Sequence, residues 1–173
     1  MKKIELADYI RSIADFPKKG ILFRDITTLL KDKKAFKKAI DLLADNFKNK
    51  KIDYVVAVES RGFILGGAIA YRLGAGFVPV RKKGKLPYKT ISVTYELEYG
   101  TDVLEMHVDA LCKGAKVLII DDLLATGGTA KAVAQLVEKL EAKIIGIAFL
   151  IELTALKGRD NLKSYNVYSL IKF

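Results

Sequence analysis

Two adjacent carboxylates, Asp121 and Asp122, are followed closely by residues 125–129, a short turn with the sequence Ala-Thr-Gly-Gly-Thr. A turn of small residues that leads into a helix offers free backbone N–H groups and the positive end of a helix dipole, and both suit a phosphate. The carboxylates cannot bind that phosphate, but they suit hydroxyl groups or a divalent cation beside it. The combination predicts a site for a phosphorylated sugar.

The segments on either side of this motif indicate a strand and a helix. Residues 117–120 are consecutive apolar residues, as in a parallel strand that is covered on both faces. Residues 130–140 have the periodicity of an amphipathic helix. In open α/β sheets, ligands bind beyond the carboxyl ends of the strands, which is where the acid pair is expected. An ordinary strand-turn-helix would explain the glycines but not the two carboxylates, and neither a P-loop nor a Gly-x-Gly-x-x-Gly motif is present.

A second turn, Glu-Ser-Arg-Gly at residues 59–62, lies between a predicted strand at 54–58 and a predicted helix at 63–73. Arg61 presents several donors in a fork that matches phosphate oxygens. A surface arginine beside a helix-capping serine is the plainer interpretation. Because parallel strands end at the same edge of a sheet, however, the turn is expected near the acid pair, and this favours a functional role.

A run of positive charge at residues 81–87, Arg-Lys-Lys-Gly-Lys-Leu-Pro, comes before two alternating segments at 91–99 and 104–109. The run is typical either of a solvated surface or of a mobile anion-binding loop, and its place after a predicted strand at 76–80 favours the loop. The alternating segments, with residues 100–102 between them, predict a β-hairpin. Glu96 and Glu98 share one face of it, and the hairpin could close over the site as a lid.

The remaining segments complete an α/β pattern. Helices are predicted at residues 4–15 and 34–48, an irregular loop followed by a buried segment at 20–30, and further strands at 144–151 and 165–171. Alternating strands and helices predict a central, mostly parallel sheet with helices on its faces, into which the hairpin is inserted.

Composition sets limits on the class of protein. The chain has 173 residues, enough for one domain, and no apolar run reaches the roughly 18 residues of a membrane span. One cysteine, Cys112, and one histidine, His107, exclude an internal disulfide framework and zinc sites built from His and Cys clusters. We expect a cytoplasmic protein without a membrane partner. The net charge of +10 favours polyanionic ligands but does not distinguish nucleic acid from a small phosphorylated substrate.

Taken together, five segments resemble the adenine phosphoribosyltransferases of the type I phosphoribosyltransferase family. The resemblance spans nearly the whole chain. It is carried by residues 16–26 (Phe-Pro-x-x-Gly-Ile-Leu-Phe-Arg-Asp-Ile), 59–63 (Glu-Ser-Arg-Gly-Phe), 81–87, 97–100 (Leu-Glu-Tyr-Gly) and 121–129. The last segment alone would indicate only the wider family, whereas residues 16–26 and 97–100 are typical of the adenine enzymes.

The resemblance implies a single type I phosphoribosyltransferase domain with an N-terminal hood at about residues 1–33 and a flexible loop and hairpin at 81–109. It implies transfer of the 5-phosphoribosyl group of 5-phosphoribosyl 1-diphosphate (PRPP) to adenine, with Mg²⁺ held mainly by substrate oxygens rather than directly by protein ligands. It also implies a homodimer in which the basic loop reaches the partner's site.

The residues that the resemblance assigns fall into four groups. PRPP or AMP would contact Asp121, Asp122, Ala125, Thr126, Gly127, Gly128 and Thr129. The diphosphate would contact Arg61, Arg81, Lys82 and Lys85. Adenine would contact Leu22, Phe23 and Arg24. Catalysis would depend on Glu98, as the acid or base that handles the proton of adenine, and on Arg61.

Three alternatives stay open at this point. The same reaction on hypoxanthine, guanine or xanthine differs only by a few hydrogen bonds to the base. A non-catalytic regulator that binds PRPP and nucleic acid would fit the positive charge, but the segment before residue 34 is too short for a winged helix, and we expect no nucleic-acid partner. A plain AMP-binding module would have no need of Glu98 or of the basic loop.

Overall fold

The computed structural model describes residues 5–96 and 100–173 of the chain. The α-helices are α1 (Thr27–Lys31), α2 (Lys33–Asp45), α3 (Arg61–Leu73) and α4 (Gly128–Lys139). The strands are β1 (Arg11–Ala14), β2 (Leu22–Asp25), β3 (Tyr54–Val58), β4 (Gly76–Lys82), β5 (Thr90–Glu96), β6 (Thr101–His107), β7 (Lys116–Leu124), β8 (Lys143–Glu152) and β9 (Val167–Lys172). Short 3₁₀ turns lie at Leu6–Tyr9, Thr154–Leu156 and Gly158–Leu162. Glu98, predicted to be catalytic, lies outside the described residues.

The main sheet has seven strands in the order β5-β6-β4-β3-β7-β8-β9. Strands β3, β4, β7, β8 and β9 are parallel, and the β5–β6 hairpin continues the sheet antiparallel through two residue pairs between β4 and β6. This confirms the predicted α/β fold with an inserted hairpin. The arrangement agrees with the type I phosphoribosyltransferase fold that the resemblance implies, and a separate two-stranded sheet of β1 and β2 lies in the N-terminal part of the chain.

Alternate side chains of the central strands pack into two cores, one on each face of the sheet. On one face, Val55 and Leu118 pack among the buried residues of α2 and α3. On the other face, Val56 and Ile119 pack among those of α4. Because both faces are covered, every position in these strands must be apolar, which is why β3 and β7 read as continuous apolar runs. In β7 the apolar run gives way to Asp121 and Asp122 in the carboxyl-terminal half of the strand, at the edge of the sheet where the site lies.

The prediction of a helix at residues 4–15 is wrong. Its described residues, 5–15, contain a 3₁₀ turn and then strand β1, which pairs antiparallel with β2. The Arg11 guanidinium lies 2.5 Å from the Asp25 carboxylate across this pair. Hydrogen bonds from the Thr27 backbone and from Arg11 lower the pKa of Asp25 to about 2, although burial opposes them. The stretch at 20–30, expected to be an irregular loop and then a buried segment, holds β2 and α1, and its Ile26 and Leu29 are buried.

Two boundaries differ from the prediction in ways that affect the site. Strand β7 continues to Leu124, so Asp121 and Asp122 lie within the strand rather than after its end. Strand β6 begins at Thr101, so residues 101 and 102 belong to the hairpin strand and not to its turn. Within the residues that the structure describes, no helix is long and apolar enough to cross a membrane.

Candidate active site

A cavity of about 550 Å³ opens at the carboxyl edge of the sheet, between the ends of β3 and β7 and the hairpin. The predicted residues that line it are Arg61, Lys82, Asp121, Asp122, Ala125, Thr126, Gly127, Gly128 and Thr129. Tyr95 of the hairpin lines it as well. The acid pair, the small-residue turn and the second turn are therefore brought together, as their positions at strand ends predicted.

Asp121 is packed tightly against the start of α3. Its Oδ1 accepts a hydrogen bond from the backbone N–H of Asp122 at 2.8 Å. A Cβ atom at Gly62 would lie only 3.0 Å from the same oxygen, so glycine is what allows α3 to approach the carboxylate. Burial, together with the negative charge of Asp122, raises the pKa of Asp121 well above its usual value.

Asp122 is 7% exposed and forms an ion pair with Arg61, with 2.7 Å between Oδ2 of Asp122 and Nε of Arg61. The N–H direction does not align with this contact, and Oδ2 is a buried oxygen without a hydrogen-bond partner among the described residues. Such an oxygen is costly to leave unsatisfied, so it is available to a hydroxyl group or cation that enters the cavity.

The turn at 125–129 owes its shape to a close approach of two backbone segments. Gly127 has φ +85°, and a Cβ atom there would overlap the carbonyl oxygen of Gly158. The side-chain amide of Asn161 donates to the carbonyl oxygen of Thr126 at 2.8 Å. Helix α4 begins at Gly128, so the N–H groups of its first turn have no helical partners and border the cavity. This arrangement can bind an anion of the size of a phosphate.

The hairpin covers part of this turn. Tyr95 is half-buried, burial raises its pKa, and its hydroxyl group interacts with the side chain of Thr129. Lys139 near the end of α4 donates to the carbonyl oxygen of Ser92 at 2.7 Å, which fastens β5 to that helix. The hairpin therefore lies beside the cavity, where a lid was expected.

The basic segment is held by Glu59, whose role the sequence did not reveal. Its Oε2 accepts from Nε and Nη2 of Arg81 at 3.1 and 2.9 Å, and its Oε1 accepts from the backbone N–H of Lys82 at 2.6 Å. Nζ of Lys82 lies 3.1 Å from the Asp102 carboxylate. Lys82 thus borders the cavity of its own chain, whereas Arg81 and the exposed Lys85 do not line it.

The predicted base-binding residues lie on β2, next to Arg61. The Arg61 guanidinium carbon is 5.2 Å from the centre of the Phe23 ring, which connects the hood to the acid pair. Leu22 is 49% exposed, so its side chain is open to a ligand. Arg24 stacks on Phe173 at 3.8 Å and donates to Oγ of Ser12 at 2.5 Å. None of the three lines the 550 Å³ cavity itself.

Comparisons with known proteins agree on one family. Residues 25–173 match the model of the phosphoribosyl transferase domain. The chain is 62% identical over 170 residues to adenine phosphoribosyltransferase of Brachyspira hyodysenteriae, a match that covers 98% of this chain and 100% of the relative. It is 59% identical to the enzyme of that name from Clostridium kluyveri, over 98% of this chain and 99% of that one.

Solved structures give the same result. The adenine phosphoribosyltransferase of Thermoanaerobacter pseudethanolicus superimposes with a TM-score of 0.95 at 57% identity, over 97% of this chain and 98% of that one. The Saccharomyces cerevisiae enzyme, solved with adenine and an imino-altritol bisphosphate, superimposes with a TM-score of 0.90 at 44% identity, over 95% and 96% of the two chains.

Proposed function

The chain belongs to the adenine phosphoribosyltransferases, and we propose that the residues gathered in its cavity carry out their reaction. The reaction transfers the 5-phosphoribosyl group of PRPP to adenine and gives AMP and diphosphate, a step of purine salvage. The observation that carries the proposal is that the acid pair and the 125–129 turn border one cavity together with Arg61.

The two halves of the cavity suit the two ends of a phosphorylated ribose. The backbone N–H groups of the turn, with the hydroxyls of Thr126 and Thr129, bind the 5-phosphate. The unsatisfied Oδ2 of Asp122 and the carboxylate of Asp121 accept the hydroxyls of the ribose. As diphosphate leaves, positive charge develops on the ribosyl group, and two fixed carboxylates nearby stabilise it.

Diphosphate departs toward the cations. Arg61 and Lys82 line the cavity, and this supports direct contact of both with the diphosphate. Arg81 and Lys85 follow in the same basic segment and complete its charge from the same chain or from a partner. Arg61 is paired with Asp122, so it exchanges this partner for a diphosphate oxygen when PRPP binds.

Adenine lies against the hood. Phe23 offers its ring for stacking, Leu22 an open apolar surface, and Arg24 a donor at the edge. The contact of Arg61 with Phe23 places this surface beside the ribose end of the cavity. Glu98 handles the proton on the base nitrogens as N9 attacks C1.

The residues fit a Mg²⁺ ion that is held mainly by its substrate. Mg²⁺ keeps several waters and usually takes one or two protein carboxylates with substrate oxygens. Three carboxylates line the cavity, and Glu59 is already paired with Arg81, which leaves Asp121 and Asp122 for the ion. The described part of the chain has no group of three or more metal-ligating side chains. The ion, when bound to PRPP, supplies charge neutralisation for the diphosphate.

We further propose a homodimer that works in the cytoplasm. Ile64 and Tyr71 on α3 and Phe77 on β4 are large and exposed, and Tyr71 is 91% exposed. Apolar side chains so placed are typical of a surface that a second subunit covers. The exposed Cys112 suits a reducing compartment. Sedimentation analysis at several protein concentrations tests the dimer.

A diphosphate-release assay with PRPP and Mg²⁺, run against adenine, hypoxanthine, guanine and xanthine, tests the function. Turnover with adenine alone is expected. Turnover with a 6-oxopurine would keep the acid pair and phosphate turn but remove the base role of Phe23 and Arg24. Binding of PRPP without turnover on any base would contradict the enzyme and favour a regulator.

A further inference from the structure

The 3₁₀ turn at Gly158–Leu162, here the lower turn, contacts the phosphate-binding turn at 125–129 (the upper turn) and has no part in the roles proposed so far. The two turns touch through backbone. A Cβ atom at Gly127 would overlap the Gly158 carbonyl oxygen, and one at Gly158 would overlap the Ala125 carbonyl oxygen. Asn161 adds a side-chain hydrogen bond to the Thr126 carbonyl oxygen at 2.8 Å. The lower turn therefore sets how close and at what angle the upper one can sit.

The Thr126 contact also affects the electrostatics of the cavity. A carbonyl oxygen that faced the cavity would repel a phosphate, because it carries partial negative charge. The side-chain amide of Asn161 donates a hydrogen bond to this oxygen, and Asn161 itself does not line the 550 Å³ cavity. The hydrogen bond thus keeps the carbonyl on the outer side of the turn and leaves the cavity side to N–H groups.

The lower turn is fastened to the sheet by one arginine. Nε and Nη2 of Arg159 each donate to a different oxygen of Glu152 at 2.8 Å. Nη1 donates to the Val167 carbonyl oxygen at 2.9 Å, and Nη2 reaches Oγ of Ser169 at 3.3 Å. Glu152 is 5% exposed at the end of β8, and the Arg159 hydrogen bonds lower its pKa. A two-pronged pair of this kind fixes orientation as well as position.

We propose that Asn161 and the Glu152–Arg159 pair are positioning residues that hold the 125–129 turn in the shape that binds the 5-phosphate of the substrate. This inference rests on the proposed function, since it takes the turn to be the phosphate site. Asn161 acts through the Thr126 carbonyl, and the pair acts through the lower turn as a whole. None of these residues touches the reacting atoms.

Comparing the dissociation constants of AMP and adenosine distinguishes a role in positioning the phosphate turn from general structural support, because the two ligands differ only in the phosphate. Loss of one neutral hydrogen bond that orients the turn is expected to weaken AMP about 2- to 12-fold. Asn161→Ala should show this loss by calorimetric titration, with adenosine binding unchanged. Asn161→Gln, which keeps a donating amide, should restore part of it.

Asn166→Ala is the matched control, since Asn166 is an exposed asparagine just outside the lower turn. It should leave both affinities at the wild-type value. Equal weakening of AMP and adenosine in Asn161→Ala, or no change in either, would overturn the proposal.

Glu152→Gln and Arg159→Met test the pair in the same way, and both should lower the AMP-to-adenosine preference. If either variant fails to fold, the Asn161 series decides, because that side chain is exposed and its loss leaves the core intact. Wild-type protein that binds AMP but shows no turnover with adenine and PRPP would refute the proposed function while the affinity ratio still tests the positioning role.

Discussion

Replacing Gly62 by alanine should disturb the geometry of the acid pair while it leaves the stability of α3 nearly unchanged. The substitution therefore tests the role of that geometry. In a helix interior, alanine is favoured over glycine by about 0.5–1 kcal/mol. At Gly62, however, the new Cβ atom would lie 3.0 Å from Oδ1 of Asp121 and 3.5 Å from the Ile120 carbonyl oxygen. The first distance is about 0.4 Å below ordinary van der Waals contact at 3.4 Å. The Asp121 carboxylate must therefore move.

The size of the effect follows from that displacement. A shift of 1 Å at a reacting centre costs on the order of 100-fold in rate, so about 0.4 Å corresponds to roughly 5- to 10-fold in kcat/KM for PRPP. Gly62→Ala should lose this much activity while its melting temperature stays within a few degrees of wild type. Steady-state diphosphate release and calorimetry measure the two quantities on the same protein.

Gly67→Ala is the matched control. Gly67 lies in the same helix, and a Cβ atom there would meet nothing within 4 Å. This variant should gain up to about 1 kcal/mol of unfolding free energy and keep full activity. If Gly62→Ala were as active as Gly67→Ala, Asp121 would not need its present position, and the assignment of the acid pair to the ribose would be wrong.

Three further substitutions test charge in the site. Asp121→Asn should reduce turnover, yet raise the unfolding free energy by an amount that grows with pH. The pKa of Asp121 in the native state lies above its usual 3.8, so the native wild-type protein binds this proton more tightly than the unfolded chain does. The unfolding free energy of the wild type therefore falls as pH rises from about 4 through the raised pKa, whereas that of the variant lacks this contribution. Melting temperatures from pH 4 to 8 check this, and a constant difference would contradict it. Glu59→Gln should free the charge of Arg81 and tighten product inhibition by diphosphate about 2- to 10-fold, whereas weaker inhibition would mean that Glu59 orients Arg81 for the ligand. Glu98→Gln should lower kcat by about 10²- to 10⁴-fold if Glu98 handles the adenine proton, and a near-normal kcat would remove it from the mechanism.

The parts of the site that the sequence predicted are those whose signal is local. Asp121 and the turn at 125–129 stand beside one another in the chain, between an apolar strand and an amphipathic helix. The carboxyl ends of parallel strands meet at one edge of a sheet, and this rule alone predicted that Arg61 lies near the acid pair. The fold class followed from the same alternation of strands and helices.

The parts that were missed depend on contacts between distant segments. Asn161 meets Thr126 across 35 positions of the chain, and nothing around residue 161 indicates a role in binding phosphate. The pairing of β1 with β2 is fixed by tertiary contacts such as the Arg11–Asp25 ion pair, and such contacts override local propensity in a strand of four residues. The role of Glu59 in holding the basic segment was missed because its partner, Arg81, is 22 positions away in the chain.

The ion pairs around the cavity have a consequence for how the enzyme responds to ionic strength. Each cation that borders the cavity or begins the basic segment already has an anion of the same chain: Arg61 with Asp122, Arg81 with Glu59, and Lys82 with Asp102. If these cations bind the diphosphate as proposed, substrate capture is an exchange of partners rather than the filling of an open positive field, and few counterions are released. Despite a net charge of +10, the dissociation constant of PRPP should vary only shallowly with salt concentration. Nucleic acid, a polyanion that cannot supply such an exchange at a recessed cavity, should compete poorly with PRPP.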